Sequence, residues 1–405
     1  MIEAVAVRGY DATGVAELSR LAGVSKRTFY EQFANKQACF LATHDVITRC
    51  AITRCAAAGA VLAHGEEPDR EAALRDIFEV FVRSTADQPK AARLVLVGAA
   101  GASRAALDRT DRARRTFERL VVAGFGQAPA AVALPAAVAT GIVCGVEHVV
   151  CRSLLGGGTG ELSGRAGALA DWALSHDSPA VAALPVPSPA GPERSSNWPR
   201  VRACTSDVRG RILRAAAEIV AGEGHARITP LRITKRAGVS GDAFGALYES
   251  AEECCLDALD LIGLEAMTSA AAASRSVGDG VRGAYREIAA LLEYVAEDPV
   301  LRGLILVYAF ADDATVVERR ERMLKRYVSL LVSRLTRRLQ PPCVVAEATV
   351  GALWGIIRCY VVSGAAYMLP ALAGQAAYVV LAPIVGAEAA VRAIDAEEDS
   401  IQSGG

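Results

Sequence analysis

Apolar residues return every three or four positions along most of this chain, the period that lines one face of an α-helix. The segment RILRAAAEIVAGEG (211–224) shows it and ends at Gly224, as helices commonly end at glycine. REAALRDIFEVFVRSTA (70–86) and VRGAYREIAALLEYVAE (281–297) repeat it, and a shorter run sets Val15, Leu18 and Leu21 on one stripe. Two late pairs of segments, 130–155 with 161–176 and 344–363 with 372–392, are apolar on most sides and rich in Ala, Gly and Val. Such helices are expected to be buried, with small residues at close contacts. No long stretch alternates with the two-residue period of a strand, so the pattern predicts an all-α protein.

The same pattern occurs twice. Gly9, Ala22, Gly23, Val24, Ser25, Phe29, Cys39 and Leu41 match Gly224, Ala237, Gly238, Val239, Ser240, Phe244, Cys254 and Leu256 at a constant shift of 215. Pro89, Leu94, Leu96, Val97, Gly141 and Gly145 match Pro299, Leu304, Leu306, Val307, Gly351 and Gly355 at a shift of 210. A repeat this long predicts duplication of a whole domain rather than a solenoid. At the shift of 215, helix 211–224 maps to positions −4 through 9, so the first copy is expected to lack most of its first helix, either because the domain begins with a stub or, the favoured reading, because the start codon was placed too late.

Between the copies, prolines at 179, 185, 187, 189, 192 and 199 forbid a long helix and predict an extended, exposed linker. The expected layout is a short helical module at 1–45, a bundle at 46–176, a Pro-rich linker at 177–206, a second module at 207–260, a second bundle at 261–395 and a disordered tail at 396–405.

Composition removes several function classes. The net charge is −1, so any affinity for nucleic acid must be local. Ten cysteines form no C-x-x-C pair and no zinc spacing, which predicts no metal site; a redox role for Cys254 and Cys255 is the one exception considered. Nothing at the N-terminus resembles a signal peptide, and a reduced cytoplasmic protein is expected. Residues 129–155 are interrupted by Pro135, Glu147 and His148, and 343–369 by Glu347 and Arg358, so neither is expected to give the roughly 20 uninterrupted apolar residues of a membrane span. GGGTGE (156–161) lacks the G-K-[ST] of a phosphate loop, and five scattered histidines form no catalytic set. No enzyme and no cofactor are expected.

The informative segment is VAELSRLAGVSKRTFYEQFANKQACFLA (15–42). A short helix ends at Ala22-Gly23-Val24, where Gly23 tolerates positive φ. Ser25 is placed to cap a second helix and Asn35 a third. Phe29 and Phe33, one turn apart, anchor the second helix with Leu18 and Leu21, leaving Lys26, Arg27, Thr28, Tyr30 and Gln32 outward. Two helices about a glycine turn, the second bearing basic and polar groups, describe a helix-turn-helix whose second helix suits the major groove.

Residues 9–36 closely resemble the N-terminal signature of the tetracycline-repressor (TetR) family, with some dozen positions at fixed spacing including F-Y-x-x-F-x-x-K. The resemblance extends more loosely over 207–260. It implies an all-helical protein in which a helix-turn-helix domain precedes a bundle that binds a small effector and pairs subunits. It implies that Lys26, Arg27, Thr28 and Gln32 read bases or phosphates, that Tyr30 and Lys36 grip phosphates, and that Thr13 touches the DNA backbone. A double-stranded operator, an unidentified effector and either a homodimer or an intrachain pseudo-dimer are the implied partners, with repression the commoner direction of control.

The second copy departs from this pattern. Lys26, Arg27, Thr28, Tyr30 and Lys36 become Gly241, Asp242, Ala243, Gly245 and Ala251, and Glu249, Glu252 and Glu253 follow. Acids repel phosphate, while Val239, Phe244 and Leu247 keep an apolar core; Arg227, Arg232, Lys235 and Arg236 leave a basic preceding helix. The alternative function is a ligand- or protein-binding protein without specific DNA recognition. Effector residues are not assigned; Phe78, Phe81, Phe117, His148, Tyr294, Tyr308, Tyr327, Trp354, Arg358 and Tyr360 lie on the helices that would line pockets.

Overall fold

A computed structural model describes residues 1–63, 69–125, 134–156, 158–187, 207–223, 227–275, 277–309, 314–335 and 343–403. Every regular element among them is helical, so the protein is all-α. The chain divides into two compact units, Met1–Ala182 with Pro342–Ala352, and Ala183–Pro341 with Leu353–Gly405.

The first unit begins with α1 (Ile2–Ala12), α2 (Val15–Ala22) and α3 (Lys26–Gln32). It continues with α4 (Lys36–Ala63), α5 (Arg70–Asp87), α6 (Pro89–Leu96), α7 (Ala99–Ala102), α8 (Arg104–Phe125), α9 (Ala136–Leu155) and α10 (Thr159–Leu174). Long α4 packs on α5 and α8, and α5 packs on α10. Two small cores meet at α1. Ala4 joins Leu18, Phe29 and Cys39, while Val5 joins Phe40, Leu94, Val95, Ala99 and Ala106. Consecutive residues of α1 thus bind the small module to the bundle. The segment Pro342–Ala352 completes this unit. The Trp172 indole, 2% exposed, donates to the Thr349 hydroxyl at 3.2 Å, and a side chain at Gly145 would overlap the Trp172 ring. Glu347 accepts from Arg152 at 2.8 Å and Arg165 at 3.3 Å.

The second unit holds α11 (Val208–Glu223), α12 (Pro230–Ala237), α13 (Gly241–Gly245), α14 (Ala251–Ala273), α15 (Gly280–Glu297), α16 (Pro299–Ala309) and α17 (Ala314–Leu335). α18 (Cys343–Val362) is divided at Ala352; α19 (Ala373–Val385) and α20 (Ala387–Ser403) follow. α15 is buried along most of its length, packing on α14, α19 and α20.

Three expectations are corrected. The tail from 396 continues α20 to Ser403, because fully buried Glu397 is gripped by both Arg282 and Arg286. A buried carboxylate must be paired, and this pairing orders the segment. The linker is not extended from 177: Pro179–Ala183 forms a 3-10 turn with Val181 and Leu184 buried, while residues 188–206, including Trp198, lie outside the described residues. Finally, Ala136–Leu155, Cys343–Val362 and Ala366–Val385 are long and apolar enough to cross a membrane, since few charges fall in any 18-residue window; 61–67% of each window is buried.

Candidate nucleic-acid interface

α2 and α3 are held at an angle by one residue. Gly23 takes φ 66°, ψ 29°, the left-handed region that side chains avoid. The chain then leaves α2, and the Ser25 hydroxyl accepts the Thr28 amide at 3.0 Å to start α3. Phe29 is the single buried residue of α3, at 6% exposure, seated on Leu18 and Ala4 with its ring 5.5 Å from that of Phe33. One anchor on a two-turn helix leaves the rest of its circumference free.

That free surface is the predicted one. Lys26, Arg27, Thr28, Tyr30 and Gln32 are all exposed. The Tyr30 ring stands edge-on to Phe29 at 5.5 Å, which fixes its direction while leaving it 55% exposed. Arg27 pairs with Glu31 at 3.1 Å, both highly exposed, a bond worth little in water and easily exchanged for a phosphate.

Two predicted contacts are otherwise engaged. Thr13 is 1% exposed and its hydroxyl donates to the Gly9 carbonyl at 2.7 Å. Gly9 itself, at φ 78°, kinks α1. Lys36 donates to the Tyr10 carbonyl at 2.8 Å and the Asp11 carbonyl at 3.4 Å, with its ammonium 4.0 Å from the Tyr10 ring centre. A cation there serves the partial negative charge at the end of α1 and ties α1 to the start of α4, where the Asn35 side chain accepts the Ala38 amide at 2.8 Å. Leu21 is 48% exposed rather than core. The buried face of α2 centres on Leu18 and Ser19, and Leu21 lies about 200° around from Ser19.

The second module repeats the frame without the surface. Gly238 takes φ 64°, ψ 44°, Ser240 accepts the Ala243 amide at 3.1 Å, and Phe244 is buried. α13 is only five residues long and presents Gly241, Asp242 and Gly245 to solvent. Leu247 is 42% exposed, and Tyr248, at 4%, takes the core position expected for it. Arg232 and Arg236 both turn to Glu223, which offsets part of the positive charge on α12. Ser250 caps α14 by accepting the Glu253 amide at 3.0 Å, and the Glu253 carboxylate, one of the expected surface acids, reaches back to accept the Glu249 amide at 2.9 Å.

Within the first unit, α4, α5, α6, α8 and α9 enclose a cavity of about 270 Å³. Its wall is mainly apolar, with Ile47, Phe81, Val95, Phe117 and Val143; Thr48, Gln88, Thr110, Arg114 and Glu147 add polar groups. Phe81 and Phe117 were legible as candidates. The polar liners were not, although Thr110 and Arg114 stand one turn apart on a helix face that is otherwise apolar inward. Thr110 also bonds His44 Nε2 at 2.9 Å, so the cavity wall reaches the helix that carries the small module. His44 is wholly buried, and burial, then the charges of Arg109 and Arg112, pushes its pKa down to about 4. It is therefore a neutral hydrogen-bonding group at neutral pH. Cys254 and Cys255 are buried, and burial raises their thiols to about 12 and 11, which makes them poor thiolates and removes the redox reading. Among the described residues no His/Cys/Asp/Glu group has metal-binding geometry.

No curated protein matches the sequence. Two solved structures resemble parts of it. A TetR family transcriptional regulator, PfmR, from Thermus thermophilus is 21% identical, with 43% of this chain and 93% of that chain covered and a TM-score of 0.35. A Clostridium perfringens protein provisionally named a fatty acid metabolism regulator is 14% identical, covering 38% and 86% at a TM-score of 0.30. Residues 2–43, the three helices just described and the start of α4, match the family model for bacterial regulatory proteins of the tetR family.

Proposed function

We propose that this chain is a ligand-responsive transcriptional repressor of the TetR type, acting in the cytoplasm on a double-stranded operator. The observation that carries the reading is α3: five polar or basic side chains exposed on a helix whose only buried residue is Phe29. Lys26, Arg27, Thr28 and Gln32 read bases or phosphates, and Tyr30 holds a phosphate. The 270 Å³ cavity receives the effector, and its occupancy shifts α4 through the Thr110–His44 contact.

The two modules form tandem copies of one domain, at 1–45 with 46–176 and at 207–260 with 261–395. Supporting this, both carry a left-handed glycine, a serine cap and a buried phenylalanine at matching positions, and Asp45–Arg109 recurs as Asp260–Arg319. The late helices pair within one chain. The packing of Trp172 on Thr349, and of Gly351 against His148, supports this. A chain so paired presents one competent reader, and a palindrome, with half-sites about 34–36 Å apart, would take two chains.

Genomic footprinting tests the reading, repeated with Arg27→Ala and Tyr30→Ala. Loss of specific sites in both variants supports it; an unchanged footprint rejects it. The second reading, a binding protein without specific DNA recognition, is favoured only by the donor-poor α13 and by the internal use of Thr13 and Lys36. It predicts no preference for any sequence over bulk competitor DNA.

A further inference from the structure

The second unit contains a cavity of about 320 Å³ between α11, α14 and α17 that neither the DNA reading nor the effector cavity uses. Its floor is apolar, built from Leu213, Leu261, Leu264, Met267 and Met323. Met323 packs close against Gly263, where a side chain would overlap its sulfur. The wall is charged. Asp257 holds Arg209 at 2.9 Å and Arg319 at 3.2 Å, and Asp260 holds Arg319 at 2.6 Å, so two acids cancel two arginines. Arg322 and Arg326, one turn apart on α17, remain. Arg322 meets only Glu318, at 3.2 Å with both side chains largely in water, and no carboxylate is recorded against Arg326 among the described residues. The first unit lacks this combination: Arg49 stands where Leu264 does, and Thr116 where Arg326 does.

We propose that this cavity is a binding site for a small amphipathic anion, an apolar chain or ring ending in a carboxylate or phosphate. The apolar body lies on the leucine and methionine floor, where its removal from water drives binding. The head sits at the Arg322–Arg326 edge, where a guanidinium can hold two oxygens of a carboxylate or phosphate at once. The site does not rest on the DNA reading and stands or falls apart from it.

The test uses the full chain with ¹³C-methyl-labelled methionine. The sequence has four methionines, and two of them, Met267 and Met323, line the cavity. Met267→Leu and Met323→Leu assign the resonances. Titration with octanoate is expected to shift both saturably, whereas octanol and inorganic phosphate leave them in place. Arg322→Glu with Arg326→Glu, both at exposed positions, is expected to weaken octanoate binding at these methyls at least tenfold. Stationary Met267 and Met323 methyls at high octanoate overturn the site. Equal shifts with octanol, or full binding by the double variant, overturn the anionic head. Shifts with phosphate alone overturn the amphipathic ligand.

Discussion

The segments 15–33 and 230–248 are built on one frame and carry opposite surfaces. Each places a left-handed glycine, a capping serine three residues before the amide it receives, and one buried phenylalanine in the same order. Around these, one segment exposes Lys26, Arg27, Thr28, Tyr30 and Gln32, and the other Gly241, Asp242 and Gly245. The residues that fold a helix-turn-helix are therefore separable from those that the proposed function places on DNA. A segment can keep the first set while losing the second, because the turn, cap and anchor place no demand on the outward positions.

The sharpest way to break this comparison is to exchange the surfaces. Lys26→Gly, Arg27→Asp, Thr28→Ala and Tyr30→Gly together give α3 the outward residues of α13. Specific binding to the footprinted sequence is expected to fall to the non-specific level, about a thousandfold or more. Helix content, followed by circular dichroism, should barely change, since glycine costs only about 1 kcal/mol per helical position. Retained operator affinity would place recognition outside α3.

The shared frame predicts the next effect. Phe29→Ala and Phe244→Ala should each open their module at a cost of about 3–5 kcal/mol, because each removes the only buried side chain of its short helix. Amide exchange resolved over α2–α3 and α12–α13 measures the two locally. A cost under about 1 kcal/mol at either site would mean that the two frames are not equivalent.

A third difference lies one helix further on. His44 corresponds by the 215-residue shift to Leu259, and both are buried. His44 titrates near 4 when folded and near its ordinary value of 6.5 when unfolded. Its folded pKa is lowered, so no penalty applies above 6.5; between 6.5 and 4 the unfolded chain takes up a proton that the folded chain refuses. Stability should fall over that window by up to about 3 kcal/mol. His44→Leu, which copies the second unit, should flatten the loss, read as the difference between the two melting curves at pH 7 and pH 4.5. Parallel curves would show that His44 is not held neutral.

Much of this was readable along the chain. The helices follow from apolar period, and Gly23, Ser25 and Asn35 act locally, through residues three or four positions away. What failed depends on distant partners. The acidic tail looked disordered until Arg282 and Arg286, 111 or more positions away, met Glu397. Leu21 was assigned to the core from the stripe it shares with Val15 and Leu18, yet the buried face of α2 runs through Leu18 and Ser19; Leu247 lies past the end of α13, where Tyr248 takes the core position. The polar part of the first cavity's wall could not be read, because it brings together Thr48, Gln88, Thr110, Arg114 and Glu147 from helices far apart in the chain.

The smallest effect refines the comparison most. Ser25 and Ser240 make the same capping bond, at 3.0 and 3.1 Å, to the amide three residues on. Ser25→Ala and Ser240→Ala should each cost about 1 kcal/mol, the usual worth of an N-cap. Their consequences should differ. Ser25 also touches the Thr28 hydroxyl at 3.0 Å, so its loss frees a side chain on the reading face and loosens α3 where Lys26 and Arg27 project. Operator affinity should drop several-fold in Ser25→Ala and stay unchanged in Ser240→Ala, at equal loss of local stability by amide exchange. Equal affinity losses would mean that both segments touch DNA. In that case the acidic surface of α13 would have to be reconsidered as a contact made through backbone amides rather than side chains.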